Sequence, residues 1–375
     1  MKVAIVENTG KDFFLSRIRL SKFLIKKGSS VTVIVPDDGF DKKIRELGLK
    51  VLVVGKNIRG KNILDHMEFA VDFYKILRDN DFDIVHCFRM QPNIIGGTIG
   101  GLLGLNVFNH VTGLGTLFSK KTLKYKLQQN LIKFCYKFNN TVFKTKCIFQ
   151  NSDDVLDLGI KKNYKIIKGS AVNEDIFYPN KLVKDKFLNK LKSENSKIVL
   201  FVSRLVKSKG LDLLFHAVKE LNDKLQYKIK LVVVGWVDHK NTDSHTFQEI
   251  DFYSKHDFVE FLGERNDISN LISISDICAL PTSYREGTPR FLLEAMASGK
   301  PIVTSEMPGC KHLISKKNLN GVLASPLNKR GLTESLEKIL HLDLLKAGSN
   351  SRLLYLNEFS EKIVYNKIYN YYKKI

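Results

Sequence analysis

Residues 198–235 read IVLFVSRLVKSKGLDLLFHAVKELNDKLQYKIKLVVVG. The apolar run Ile198 to Val202 leads into a basic loop, Ser203-Arg204-Leu205-Val206-Lys207-Ser208-Lys209-Gly210. From Leu211 to Leu221 the apolar residues recur at helical spacing, and Lys230 to Val234 is a second apolar run that stops at Gly235. A strand without polar alternation is covered on both faces, and strand–helix–strand order places such strands in parallel. Downstream, Phe258 to Leu262, Ile277 to Leu280, Pro301 to Thr304 and Gly321 to Leu323 continue the series.

An equivalent series occupies the N-terminal half. Met1 to Val6 reads as a strand, Glu7-Asn8-Thr9-Gly10 as a turn, and about Phe13 to Lys27 as a helix closed by Gly28. Val31 to Val35, Val51 to Val54, Asp83 to His86 and Asn106 to Phe108 repeat the strand signal. The expected fold is α/β, two doubly wound parallel-sheet domains with a ligand cleft at the carboxyl ends of their strands. The expected divisions are 1–178, a polar linker at 179–196 beginning with Pro179, 197–358, and a terminal helix at 359–375 packing on a domain surface. That last stretch carries Phe359, Tyr365, Tyr369 and Tyr372 near helical spacing.

Composition narrows the function. The chain has 375 residues, 43% hydrophobic and 26% charged, with a net charge of +21. Such a charge predicts an anionic partner: nucleic acid, a membrane surface or a phosphorylated substrate. Five widely spaced cysteines with no CxxC pair argue against a disulfide framework or a zinc site and fit a reducing cytosol. No signal peptide is legible. The most apolar stretch, Ile94 to Leu105, is 12 residues, against the roughly 20 that a spanning helix needs. Its glycines at 96, 97, 100, 101 and 104 suit close helix packing.

Two constellations carry chemistry. After the strand Ile277 to Leu280 comes Tyr284-Arg285-Glu286-Gly287-Thr288-Pro289-Arg290-Phe291-Leu292-Leu293-Glu294. Pro289 suits a first helical turn and Gly299 a C-terminal cap, so a helix is expected over Thr288–Ser298. Amides at Gly287 and Thr288 would then face an anion, while Glu286 and Glu294 could hold two hydroxyl-bearing parts of one ligand. In the basic loop, Arg204 and Lys209 could neutralise a diphosphate without a metal. A lone Glu-x7-Glu or a lone loop cation is common by chance. Both together, in order, on two βα junctions of one domain, are not.

The stretch Glu286 to Glu294 resembles the Glu-x7-Glu motif of family 4 glycosyltransferases, and Ser203-Arg204-Leu205 with Lys209-Gly210 resembles that family's diphosphate loop. The resemblance implies the GT-B fold, two Rossmann-like domains facing a central cleft. It also implies a retaining transfer from a nucleotide-sugar donor, expected to be UDP-linked. It assigns Arg204 and Lys209 to the donor diphosphate, where the Gly287 and Thr288 amides would join them, Glu286 to the sugar hydroxyls and Glu294 to the ribose. The string Tyr284 to Glu294, with Pro301-Ile302-Val303-Thr304 and Pro308-Gly309-Cys310, is similar to a narrower group acting on polyprenyl-diphosphate-linked saccharides. Asn109-His110-Val111-Thr112-Gly113-Leu114-Gly115 and Pro92 to Gly97 resemble the same group and give His110 a place against the donor sugar. Ser16-Arg17-Ile18-Arg19-Leu20 resembles its Asn-Phe-Arg-Leu stretch, with Ser16 departing from Asn, and makes Arg19 a candidate for an acceptor phosphate. Gln150 to Asp154 fits the group's pattern in an architectural role. No metal or other cofactor is expected, since no Asp-x-Asp occupies a donor loop.

Between Asp83 and Asp153 there is no acidic residue. Lys120, Lys121, Lys124, Lys126, Lys133, Lys137, Lys144 and Lys146 alternate there with leucines and aromatics, a pattern suited to an anionic leaflet. The expected location is cytoplasmic, peripheral on the inner face of the plasma membrane. Three rival functions fit the sequence less well. A nucleic-acid binder lacks a recognisable motif. An oxidoreductase lacks GxGxxG after the first strand. An inactive partner subunit would have no need to retain Arg204, Lys209, Glu286 and Glu294.

Overall fold

The computed structural model describes residues 1–56, 63–120, 122–192, 195–238, 241–325 and 327–374. The chain divides into two units, Met1–Ser170 with Val364–Ile375, and Ala171–Ile363.

In the first unit seven parallel strands run in the order β3-β2-β1-β4-β5-β6-β7. They are β1 (Lys2–Val6), β2 (Ser30–Asp37), β3 (Lys50–Lys56), β4 (Ile84–Phe88), β5 (Asn106–Val111), β6 (Lys146–Phe149) and β7 (Tyr164–Ile166). Ala4, Val6, Ile34, Val85 and Val107 form a core on one face with Phe69, Phe73 and Leu77 of the helix Ile63–Asp79. The glycines of the helix Met90–Leu102 work as close-approach positions: a Cβ would meet the Cys87 sulfur at Gly96, Asn139 at Gly97, Val107 at Gly100 and Phe143 at Gly101. Gly104 lies beyond the helix at φ 71°, with nothing within 4 Å, and serves the turn.

In the second unit six parallel strands run in the order β10-β9-β8-β11-β12-β13. They are β8 (Ser196–Val202), β9 (Lys228–Val234), β10 (Val259–Phe261), β11 (Ile277–Leu280), β12 (Ile302–Ser305) and β13 (Gly321–Ala324). One core joins Ile198–Phe201, Leu231–Val234 and Ile277–Leu280 to Leu214, Val218 and Leu221 of the helix Leu211–Lys224 and to Leu292 and Met296.

Four sequence expectations change. The helix expected over Phe13–Lys27 is two, Gly10–Ser16 and Ile18–Lys26, broken at Arg17, which bonds back to the Phe13 carbonyl and turns its side chain inward. The helix expected from Thr288 starts at Arg290, because Pro289 is extended (φ −61°, ψ 121°) and caps it instead of entering it. The stretch 179–196 is no bare linker. It forms the helix Lys186–Leu191, capped by Asp185, with Leu188 and Leu191 in the core of the second unit, which already claims Val172 and Phe177. The terminal stretch splits, since Phe359 closes the second core whereas Val364 onward belongs to the first unit.

Leu188→Ala should therefore lower unfolding free energy by about 2–5 kcal/mol, the cost of a buried large-to-small change. The exposed neighbour Lys190→Ala should change it by less than about 0.5 kcal/mol. Urea denaturation of the two variants measures the difference.

Candidate functional site

Each sheet reverses its strand order once, between β8 and β11 in the second unit and between β1 and β4 in the first. The loops leaving the strands at such a reversal diverge and leave a ligand crevice. Arg204, Lys209, Glu286, Gly287 and Thr288 lie on those two loops, and Glu294 on the helix that follows the second. Ser283 N donates to the Ser208 carbonyl at 2.8 Å and Thr282 Oγ1 at 3.1 Å, which joins the loop after β11 to the loop after β8. Leu205 N donates to the Trp236 carbonyl at 2.9 Å, and Ser208 N to Asp243 Oδ2 at 3.0 Å. Gly210, at φ 82°, lies against the Pro281 carbonyl where any Cβ would collide, and Gly309 lies likewise against the carbonyls of Glu286 and Gly287.

The Lys209 ammonium pairs with the Glu286 carboxylate, both side chains largely buried, and sits 4.8 Å above the Tyr284 ring. Arg204 is more open and pairs with Asp238 at 2.9 Å. Glu294 is buried on the helix Arg290–Ala297 and accepts from Arg290 Nε at 2.8 Å; burial raises its pKa above the usual carboxylate range, with Arg290 opposing. Thr288 Oγ1 lies 3.3 Å from His312 Nε2. Because the helix begins at Arg290, the amides of Gly287 and Thr288 belong to the preceding loop and not to the helix end. Lys209 and Glu286 thus meet, while Arg204 and Glu294 hold partners of their own. Asp238, Tyr284 and His312 went unnamed as site residues; a search for counter-charges in the remaining βα loops would have found Asp238.

In the first unit the reversal is floored by charge. Glu7, fully buried at the end of β1, accepts from Arg17 Nε at 3.3 Å and pairs with Arg89 Nε at 3.0 Å. Arg89 also reaches Asp12 at 3.2 Å and adopts φ 70°, ψ 167° just after β4, a strained backbone for a side-chain-bearing residue. Arg17 stacks on Phe88 at 3.9 Å. Arg17 therefore joins this network, and Arg19 stands half-buried two residues on.

His110 is on β5, 2% exposed, with its carbonyl held by Asn93 Nδ2 at 3.0 Å. Its Nδ1 lies 3.2 Å from His86 Nε2, the rings are parallel within 10°, and His86 Nδ1 meets the Tyr372 hydroxyl. His110 Nε2 is buried with no hydrogen-bond partner among the described residues. Burial pushes both histidines well below their ordinary pKa, helped at His86 by Arg17 and at His110 by His86 and Arg17. Periodicity could not reveal His86 or Tyr372 as partners of His110.

The helix Leu123–Val142 has two apolar faces. One is buried through Tyr136. The other is a stripe at intervals of three and four residues, Leu123 75%, Leu127 64%, Leu131 63%, Phe134 63%, Phe138 40% and Val142 54% exposed. Lys126, Lys133 and Lys137 fall beside that stripe on the helical wheel. Lys121 lies outside the described residues. Among the described residues no helix is long and apolar enough to cross a membrane, and no group of three or more His, Cys, Asp or Glu is placed to hold a metal ion.

Residues 183–353 match the family model for glycosyl transferases group 1, and residues 2–146 the model for glycosyl transferase 4-like domains. The chain is 28% identical over 388 aligned residues to the N,N'-diacetylbacillosaminyl-diphospho-undecaprenol alpha-1,3-N-acetylgalactosaminyltransferase of Campylobacter jejuni, covering 100% of this chain and 99% of that protein. It is 28% identical to the UDP-Gal:alpha-D-GlcNAc-diphosphoundecaprenol alpha-1,3-galactosyltransferase of Escherichia coli, covering 82% and 80%. HepE of Anabaena, solved in complex with UDP-glucose, superposes with a TM-score of 0.78 at 17% identity over 100% of both chains.

The histidine pair makes stability depend on pH with a definite sign. Both groups stay neutral in the folded protein, so above their unfolded value near 6.5 neither costs anything. As pH falls below it, the unfolded chain takes up protons that the folded chain refuses. Each histidine then removes up to about 1.4 kcal/mol of stability per pH unit. His110→Gln should make the acid decline shallower, measured as urea midpoints between pH 7.5 and 5.

Proposed function

We propose that this chain, which belongs to the group 1, family 4-like glycosyltransferases of GT-B fold, moves a sugar from a nucleotide diphosphate, UDP in preference, to a saccharide carried on a polyprenyl diphosphate. One observation carries the reading: Lys209 and Glu286, from the two loops that part at the β8–β11 reversal, meet there, and Arg204 is on the first of those loops. A cation and a carboxylate that neutralise each other are matched to a ligand bearing both phosphates and hydroxyls. The activities of the Campylobacter and Escherichia relatives support the diphosphoundecaprenol-type acceptor, and the second of them, with HepE, supports UDP.

On this reading the donor diphosphate draws Lys209 from Glu286 and engages Arg204. Glu286 turns to the sugar hydroxyls and Glu294 to the ribose. The bond from the anomeric carbon to the β-phosphate oxygen breaks, and charge develops on that oxygen beside Lys209 and Arg204, which costs little reorganisation because both are in place. The acceptor hydroxyl attacks from the leaving-group face and passes its proton to the departing phosphate, so configuration is retained. His110 meets the donor sugar by family resemblance. Two cations supply the charge that a metal would otherwise supply, so transfer proceeds without one.

The exposed stripe on Leu123–Val142 suits the same acceptor. A lipid-borne substrate stays at its bilayer, and an apolar helix face beside lysines binds an anionic leaflet in plane. The protein then works as a cytoplasmic, peripheral enzyme on the inner face of the plasma membrane in cell-surface glycan assembly.

Purified protein given UDP-, GDP- and ADP-sugars with a polyprenyl-diphosphate-linked saccharide should transfer from a UDP-sugar, undiminished in EDTA, with the anomeric configuration of the product retained by NMR. No product from any donor with folded protein sinks the proposal, and loss of transfer in EDTA sinks its metal-free part. Lys209→Ala should lower kcat by about 10²–10³-fold, the usual cost of one leaving-charge partner, in protein that is still folded by circular dichroism. Leu127→Glu with Phe134→Glu should abolish flotation with anionic vesicles while activity on a short, detergent-soluble acceptor persists.

A further inference from the structure

We propose that Tyr372 and His86 are positioning residues that hold His110 with its proton on Nε2, so that His110 meets its ligand as a hydrogen-bond donor and not as a base. The proposal rests on the reading of His110 as a residue that faces the donor sugar, and it deepens that reading.

Three side chains form a buried line. The Tyr372 hydroxyl meets His86 Nδ1, and His86 Nε2 lies 3.2 Å from His110 Nδ1. His86 is fully buried, Tyr372 is 1% exposed, and His110 Nε2 ends the line without a partner among the described residues. With two neutral imidazoles and a phenol, the line carries three protons and two hydrogen bonds. Only two polarities place one proton in each bond.

In the first polarity Tyr372 donates to His86 Nδ1, His86 Nε2–H donates to His110 Nδ1, and His110 Nε2–H points onward. In the second, His110 Nδ1–H donates to His86 and His86 Nδ1–H donates to Tyr372. The second leaves the phenol proton without an acceptor, because His86 is the one hydrogen-bond partner of Tyr372 among the described residues. It also leaves His110 Nε2 as a bare lone pair. Each polarity leaves one donor and one acceptor of the line unmatched, so the strength of the bonds decides between them. A phenol is a strong donor and a weak acceptor while an imidazole nitrogen is a strong acceptor, so the O–H···N bond from Tyr372 to His86 outweighs an N–H···O bond in the reverse sense and favours the first polarity.

The outgoing group is thus a neutral N–H. Its natural partner is an oxygen acceptor, a sugar hydroxyl or a phosphate oxygen, and a donor of this kind cannot take a proton from an attacking hydroxyl. The framework holding the line is apolar and aromatic: Phe108 meets Tyr372 edge-on at 4.9 Å, and Phe88 stacks on His110 at 4.8 Å. Tyr372 reaches this place because the last helix, Glu361–Tyr372, ends in the first unit.

The test reads tautomers directly. Protein labelled with ¹⁵N-histidine is examined at pH 7.5 by long-range ¹H–¹⁵N correlation, with His86 and His110 assigned by single substitution. Both should be Nε2–H tautomers in the wild type; an Nδ1–H or doubly protonated His110 overturns the proposal. Tyr372→Phe keeps the ring and removes the hydroxyl, and should leave His110 exchanging between tautomers. It should also lower kcat about tenfold while KM for the nucleotide sugar stays within about twofold. His86→Gln, whose amide can accept from Tyr372 and donate to His110, should keep the Nε2–H form and much of kcat, whereas His86→Leu should lose both. Unchanged tautomers and kcat in Tyr372→Phe overturn the relay. Wild-type protein that transfers no sugar fails the preceding section's reading, and the tautomer spectra, which need no substrate, still decide the relay.

Discussion

A parallel sheet grown outward from a central strand in both directions must reverse once, and nothing in the sheet itself can cover the gap above that reversal. Both units obey this constraint. β8 and β1 are the first strands of their sheets, and each ends beside the strand on which the order turns, β11 or β4. The loops there are held by short-range backbone bonds and by glycines that let carbonyls approach, so their side chains inherit fixed origins. The chemistry of the chain is concentrated at these two places because there alone can loops from distant sequence converge on a rigid base.

The two reversals handle charge differently. In the second unit Arg204–Asp238 and the arginine of Arg290–Glu294 are open to water and ligand, while Lys209–Glu286 is largely but not fully buried. In the first, Glu7 is fully buried and held between Arg17 and Arg89. A buried carboxylate that loses a partner is strongly penalised, so this arrangement serves rigidity, and it sustains the strained backbone of Arg89. Ligand exchange and fixed geometry are thereby separated between the halves.

Much of this was legible in the sequence. Ile198 to Val202, Ile277 to Leu280 and Gly321 onward announce buried strands because an apolar run admits few other readings, and the two donor loops follow from them. β6 and β7 escaped notice because they have four and three residues, with lysines at Lys146 and Lys165. The helix break at Arg17 leaves no mark, since arginine is a good helix former and neither glycine nor proline stands there. Pro289 fits a first turn and an N-cap equally well, and only its ψ of 121° decides between them. Leu188 and Leu191 were hidden by their polar surroundings. Partners were least legible of all: His86 and Tyr372 are 286 residues apart, and no local pattern encodes such a meeting.

The route of the last helix sets a clock on biosynthesis. The first unit has its seven strands once Ser170 has left the ribosome, yet the hydroxyl that ends its histidine line belongs to Tyr372. At roughly 5–20 residues per second, the stretch from Ser170 to Tyr372 takes on the order of 10–40 seconds to make. During that interval the emerging protein has its first sheet but not its finished interior. Completion of the N-terminal half thus waits until Tyr372, made after the whole second sheet, has emerged.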